Sequence, residues 1–249
     1  MRYLVLSDIH ANLEALEACV ADATARGYDR ALVLGDLVGY GADPNAVIDC
    51  IQRIDPLAIV RGNHDKVACG LEQAEGFNSV AKSAAHWTFD LLTPDHRDWL
   101  AALPPGPHTV CDLVQICHGS PYDEDAYIFD ELDALRALKV SERPLCLFGH
   151  THWPARFELS ADAFDSLGPS PSAEVETRLV LRDGSKYLVN PGSVGQPRDG
   201  DPRAAYAIVD VQERSVDLLR LTYAVATAQA KVVKAGLPDV LAQRLGLGR

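Results

Sequence analysis

Short apolar runs that break off into Gly, Asp, Asn or His recur from the start of the chain through position 152. Tyr3 to Ser7 reads as a buried strand. Asn12 to Arg26 follows with Leu13, Leu16, Ala18, Cys19 and Val20 near helical spacing and stops at Gly27. The alternation repeats as strand Ala31 to Leu34, helix Asn45 to Arg53 and strand Leu57 to Val60, which predicts parallel pairing with helices outside. From Lys66 to Pro107 the pattern turns helical, with stretches Asn78 to Leu92 and Pro94 to Leu103, and reads as a helical insertion ended by Pro104-Pro105-Gly106-Pro107. Strand Leu113 to Cys117, a loop and helix within Ser120 to Lys139, and strand Leu145 to Phe148 come next.

Beyond Phe157 the pattern predicts antiparallel strands. These are Phe157 to Leu159, then Arg178 to Leu181 and Lys186 to Val189 around an Asp183-Gly184 turn, then Ala205 to Val211 and Ser215 to Leu221. Parallel pairing first and antiparallel later implies two sheets. Ser160 to Thr177, rich in Ser, Pro and Ala, reads as a surface loop. The tail from Ala224 reads as two helices separated by Gly236-Leu237-Pro238. We expect a single domain over 1–249, carrying the insertion at about 66–107.

Composition narrows the classes. With 47% hydrophobic and 23% charged residues, the chain has the balance of a globular protein with a substantial core. Its net charge of −12 disfavours polymeric nucleic acid, whose binders cluster Lys and Arg. No apolar run approaches the ~20 residues that span a bilayer, and the first is shorter than a signal-peptide core, so a cytoplasmic protein without a membrane partner is expected. A homo-oligomer stays open. The six cysteines form no Cys-x-x-Cys pair; even Cys117, beside His118, lies in an apolar strand and reads as core filling.

Five of the eight histidines, His10, His64, His118, His150 and His152, directly follow predicted buried strands, together with Asp8, Asp36, Asn63 and Asp65. Strand ends in open α/β sheets are where ligand sites form, and mixed imidazole and carboxylate donors suit Mn, Fe or Zn better than Ca or Mg alone. His86, His96 and His108 lie in the helical stretch or its exit and read as surface or packing residues. Two cations about 3.5–4 Å apart would generate hydroxide near neutral pH and clamp the oxygens of a phosphoryl group, with Asp36 the candidate to bridge them.

The ordered set Asp8-x-His10, Gly35-Asp36, Gly62-Asn63-His64-Asp65, His118-Gly119 and Gly149-His150-Thr151-His152 strongly resembles the calcineurin-like metallophosphoesterase family, in its compact prokaryotic phosphodiesterase branch. Asn190-Pro191-Gly192-Ser193 adds a further match. The resemblance implies an α/β (α+β) fold, a four-layer α/β/β/α sandwich with two mixed β-sheets. It also implies that Asp8, His10 and His152 hold one metal and Asn63, His118 and His150 the other, with Asp36 between them. The two divalent ions would be Mn or Fe, with Zn or Ni as alternatives. His64 would stand near the phosphate as a catalytic group and Asp65 would orient its ring.

The function expected from the resemblance is hydrolysis of a small phosphorylated substrate, most simply a phosphodiester, by a hydroxide between the metals. Dinucleoside polyphosphate hydrolase, cyclic nucleotide phosphodiesterase, protein phosphatase and, in another class, a non-catalytic interaction scaffold remain alternatives. Arg61, Arg198 and Arg203 are candidates for further phosphates, Arg198 above the others because of its Pro- and Gly-rich loop. Phe77, Asn78 and Trp87 are candidates to line the approach to the metals.

Overall fold

The structure, a computed structural model, describes residues 1–167 and 175–249. Its elements are β1 (Arg2–Leu6), α1 (Leu13–Arg26), β2 (Arg30–Val33), α2 (Pro44–Ile54), β3 (Ala58–Ile59), α3 (Asn63–Cys69), α4 (Ser79–Leu91), α5 (Pro94–Ala101), β4 (His108–Thr109), β5 (Val114–Ile116), α6 (Glu131–Val140), β6 (Leu145–Leu147), β7 (Ala155–Leu159), β8 (Phe164–Ser166), β9 (Glu176–Val180), β10 (Lys186–Asn190), β11 (Ala204–Asp210), β12 (Ser215–Leu221), α7 (Val225–Lys234) and α8 (Asp239–Leu247). Among the described residues these strands form two six-stranded sheets, ordered β3-β2-β1-β11-β12-β9 and β4-β5-β6-β10-β7-β8. Each sheet is mixed. β1 pairs parallel to β2 and antiparallel to β11, and β10 pairs parallel to β6 and antiparallel to β7.

Alternation within single strands explains the layering. Tyr3 and Val5 of β1 join Leu32, Val114, Ile116, Leu145, Tyr187 and Val189 in a core between the sheets. Leu4 and Leu6 point the other way, into a core with Leu16 and Cys19 of α1 and Val47 and Ile51 of α2. On the outer face of the second sheet, Cys146 and Leu188 pack against Ala134 and Leu138 of α6. The result is the expected α/β/β/α sandwich. A strand covered on both faces has no solvent side to make polar, so β1 reads as one apolar run. Each fully buried Leu or Val there contributes about 1.5–3 kcal/mol.

Three expectations are corrected. Arg178 to Leu181 and Lys186 to Val189 do not form a hairpin, although Gly184 turns between them at φ 80°. β9 pairs with β12 in the first sheet, and β10 lies between β6 and β7 in the second. The stretch expected as a loop, Ser160 to Thr177, contains β8, which pairs with β7, and the start of β9; its residues 168–174 lie outside the described residues. The helical stretch after Lys66 begins earlier, since Asn63 and His64 open α3, and Leu92, Leu100 and Leu103 join the core of β1 and α1. No helix among the described residues is long and apolar enough to cross a membrane.

Candidate metal centre

The loops after β1, β2, β5 and β6 and the start of α3 converge at one end of the two sheets, and their backbones are unusual there. Asp8, His10, Asp36, His150 and His152 all take left-handed φ values of 51°, 49°, 52°, 67° and 61°. Each such non-glycine residue costs on the order of 1 kcal/mol and persists only where its surroundings fix it. The fixing contacts are visible. The His150 N–H donates to both Asp8 carboxylate oxygens at 3.1 Å, and Ser7 Oγ donates to Asp8 Oδ2 at 2.6 Å. A methyl group on Gly62 would overlap the Asp36 carboxylate, so only glycine lets these two loops approach.

Two donor groups result, Asp8, His10, Asp36 and His152, and Asp36, His118 and His150, all buried and sharing Asp36. Asp36 Oδ1 accepts the His64 N–H at 2.9 Å, which leaves Oδ2 facing His10 Nε2 at 3.5 Å and His118 Nε2 at 3.6 Å. Asn63 Oδ1 lies 3.4 Å from His118 Nε2. All seven residues expected around the metals are therefore brought together.

The chemistry of this set fits cations. His10 Nδ1 donates to Val38 O and His152 Nδ1 to Gln196 O, because a carbonyl can only accept. Both Nε2 atoms therefore carry lone pairs, yet they face each other at 3.1 Å. His118 Nδ1 likewise donates to Leu34 O, and its Nε2 lies against the oxygens of Asn63 and Asp36 at the second donor group. Acceptors converging on acceptors in a buried space need positive charge between them. Another acidic group, Glu72, Glu124 and Asp125, differs because Lys66 Nζ sits among it at 2.9, 3.3 and 2.5 Å.

Burial sets the protonation of the centre. It pushes Asp8 up to about 7 and Asp36 well above the usual carboxylate range, the latter with help from the Asp65 charge. It also holds His10, His64, His150 and His152 well below the usual imidazole value, so these rings are neutral donors.

Asp65 does not orient His64. Its Oδ1 accepts from Leu37 N and Val38 N at 2.9 and 3.2 Å and its Oδ2 from Gly62 N at 2.9 Å, so it ties the loop after Asp36 to the start of α3. Among the described residues His64 Nδ1 has no hydrogen-bond partner, and the ring is held instead by Tyr40 at 4.4 Å and Phe77 at 4.5 Å between centroids. Phe77 therefore reaches the centre, whereas Asn78 caps α4 and Trp87 packs with the C-terminal helices. Arg61 pairs with Glu124 and Arg203 with Asp201. Among the described residues Arg198 Nη2 bonds two neutral groups, Gln196 Oε1 at 3.2 Å and Tyr40 OH at 3.5 Å, and its charge acts on Asp8 and Asp36.

Sequence reading missed Tyr40 and the supports of the centre. Tyr40 had one signal, an aromatic residue between Gly39 and Gly41 just after Asp36. Asn190 Nδ2 holds Gly149 O and Thr151 Oγ1 at 2.8 and 3.0 Å, and Ser193 Oγ donates to Asp8 O at 2.7 Å, which gives the Asn190-Pro191-Gly192-Ser193 motif a structural purpose.

Known proteins share this fold. The crystal structure of a metallophosphoesterase from Sphaerobacter thermophilus superposes with a TM-score of 0.88 at 37% identity, covering 100% of both chains. A hypothetical protein from Pyrococcus horikoshii has the same fold, with a TM-score of 0.78 at 19% identity over 100% of this chain and 98% of its own. An uncharacterized protein from Methanocaldococcus jannaschii is 36% identical over 98% of this chain and 97% of its own length. The family model for the calcineurin-like phosphoesterase superfamily domain matches residues 1–214, which takes in every strand but β12 and every donor of the centre, and the chain belongs to that superfamily.

Proposed function

We propose that the protein is a metal-dependent phosphoester hydrolase, most simply a phosphodiesterase, acting on a small phosphorylated substrate. The observation that carries this reading is the Asp36 carboxylate, whose one free oxygen is aimed between His10 and His118 of two otherwise separate donor groups. Asp8, His10 and His152 would hold one ion and Asn63, His118 and His150 the other, with Asp36 shared. Nitrogen and oxygen donors without thiolate favour Mn or Fe, with Zn or Ni as alternatives. Two such ions supply activated water at neutral pH and neutralise the charge of a phosphoryl group.

The chain's own groups do the remainder. His64, a neutral imidazole between Tyr40 and Phe77, offers an N–H to a phosphoryl or leaving oxygen. Arg198, bonded to neutral partners, presents its guanidinium to a phosphate oxygen. The test is a metal-reconstituted activity screen with bis-p-nitrophenyl phosphate, p-nitrophenyl phosphate, cyclic nucleotides and a dinucleoside tetraphosphate. Turnover of the diester above the monoester is expected. Tight Mn or Fe binding without turnover of any of them would overturn the proposal in favour of a scaffold.

A further inference from the structure

Three exposed aromatic rings stand beside the His150 and His152 side of the centre, and phosphoester hydrolysis as proposed makes no use of them. Tyr127 stacks on the His150 imidazole with centroids 3.8 Å apart, and Phe129 stacks on Tyr127 at 4.7 Å with planes 10° apart. Trp153 directly follows His152. Their exposures are 42% for Tyr127, 72% for Phe129 and 54% for Trp153, and an apolar surface kept open next to a polar centre marks a binding face. Phe129 and Trp153 line one cavity of about 220 Å³ with Thr151, Pro154 and Phe157. That is far more than the ~30 Å³ share of a water and short of the ~300 Å³ at which ligand pockets usually begin, so it suits one ring system.

Charge and rigidity narrow the occupant. Asp130 and Glu131 also line the cavity and outnumber its one lining cation, Arg156, so the net negative charge of the lining disfavours a second phosphate. The segment carrying Tyr127 is pinned beforehand. Arg61 pairs with Glu124 through Nε at 3.1 Å and Nη2 at 3.0 Å, and Lys66 Nζ bonds Asp125 Oδ2 at 2.5 Å. Rings held in place lose little freedom when another ring stacks on them.

We propose that Phe129 and Trp153 form the subsite for a planar aromatic ring of the substrate, such as a nucleobase, joined to the reacting phosphate with no further phosphate on that side. This rests on the phosphoester hydrolase reading for its catalytic consequence, but not for ring binding itself. Tyr127 links the two, since it touches both Phe129 and the candidate ligand His150.

The test uses the full-length protein in two arms. Without metal, adenosine and ribose are titrated while tryptophan emission is followed; adenosine is expected to quench and ribose not, and Trp153→Phe should lose the quench. With Mn2+, the p-nitrophenyl ester of thymidine 5′-phosphate is compared with methyl p-nitrophenyl phosphate, which releases the same chromophore. Phe129→Ala should lower the ratio of their kcat/KM values about tenfold, the low end for one base losing an aromatic partner. Phe129→Leu, which keeps apolar area but removes the ring, should do the same and carries the test if the alanine variant misfolds. Equal responses to adenosine and ribose, with an unchanged kcat/KM ratio, would sink the subsite and leave the hydrolase reading standing. Quenching by adenosine with no hydrolysis of either ester would do the reverse. Conversion of a dimer into a monomer by Phe129→Ala, with the adenosine response intact, would reassign the face to self-association.

Discussion

The Nε2 atoms of His10 and His152 face each other 3.1 Å apart, and each ring donates its only proton away, to Val38 O and to Gln196 O. Two lone pairs at that distance repel, and the arrangement persists because Asp8, His10 and His152 are set by left-handed backbone and by the loop that ends at Gln196. A cation between the two nitrogens turns the repulsion into coordination. Metal loading should therefore stabilise the protein strongly.

Replacing Asp36 by Asn tests the shared ligand. The amide keeps the shape of the side chain and an oxygen to accept the His64 N–H, but its second arm brings an N–H towards His10 and His118. Metal content should fall below two ions per chain, and diester turnover should drop by more than the ~10–100-fold typical of supporting residues. Metal analysis and kinetics on the folded variant check this; wild-type turnover would remove Asp36 from its assigned place.

Metal affinity should rise with pH through about 7. Asp8 must lose its proton to ligate, and burial holds that proton until about 7, whereas His10 and His152 beside it are already neutral. Below pH 7 the apparent affinity should fall by at least about tenfold per unit, because Asp36, which burial also holds protonated, must lose its proton as well. The apo protein follows the matching linkage. The folded value of Asp8 lies above its ordinary 3.8, so its contribution to stability is complete below 3.8 and is lost as pH rises towards about 7. His10 and His152 act oppositely, since their folded values lie below the usual 6.5, and stability is lost as pH falls below that value. Calorimetric titration with Mn2+ from pH 5.5 to 8 on the wild type and on Asp8→Asn checks this, and an unchanged affinity and pH dependence in the variant would mean that Asp8 is not a ligand.

Much of this centre was legible because β1, β2, β5 and β6 are covered on both faces, so each is an apolar run, broken in β5 only by the buried Gln115, that ends where its polar cluster starts. What sequence could not supply is non-local pairing. Asp183-Gly184 looked like a hairpin turn and does turn the chain, but β9 finds β12 and β10 finds β6 and β7, choices set by packing between distant segments. Strand β8 was hidden because, of its Phe164, Asp165 and Ser166, only the phenylalanine looks like strand. Asp65 was misread by proximity to His64. Its position three residues into α3, where a carboxylate reaches back to the Gly62 N–H, is a capping signature that the sequence did contain.

Asp65→Asn separates those two roles. If Asp65 braces the loop after Asp36, losing its charge weakens bonds to the Gly62, Leu37 and Val38 amides. Stability should then fall by about 1–3 kcal/mol in urea unfolding. Any loss of activity should appear together with weaker metal binding, and the pH profile of the metal-saturated variant should match the wild type. A changed profile without loss of stability would restore the orienting role.

Gly62→Ala is the most economical probe of the centre. Gly62 has φ −106° and ψ 175°, an extended conformation open to alanine, so backbone strain does not enter. The single added methyl meets the Asp36 carboxylate and the Asp36 backbone nitrogen, and neither is the end of a flexible chain that can swing aside. Overpacking of this kind costs about 1–3 kcal/mol. Here the strain falls on the residue shared by both donor groups. Thermal unfolding without metal should therefore shift modestly, while the extra stabilisation conferred by Mn2+ should largely vanish. A variant that keeps the full metal-induced shift in Tm would mean that Asp36 can move without disturbing the site, and that the close approach of these two loops does not set its geometry.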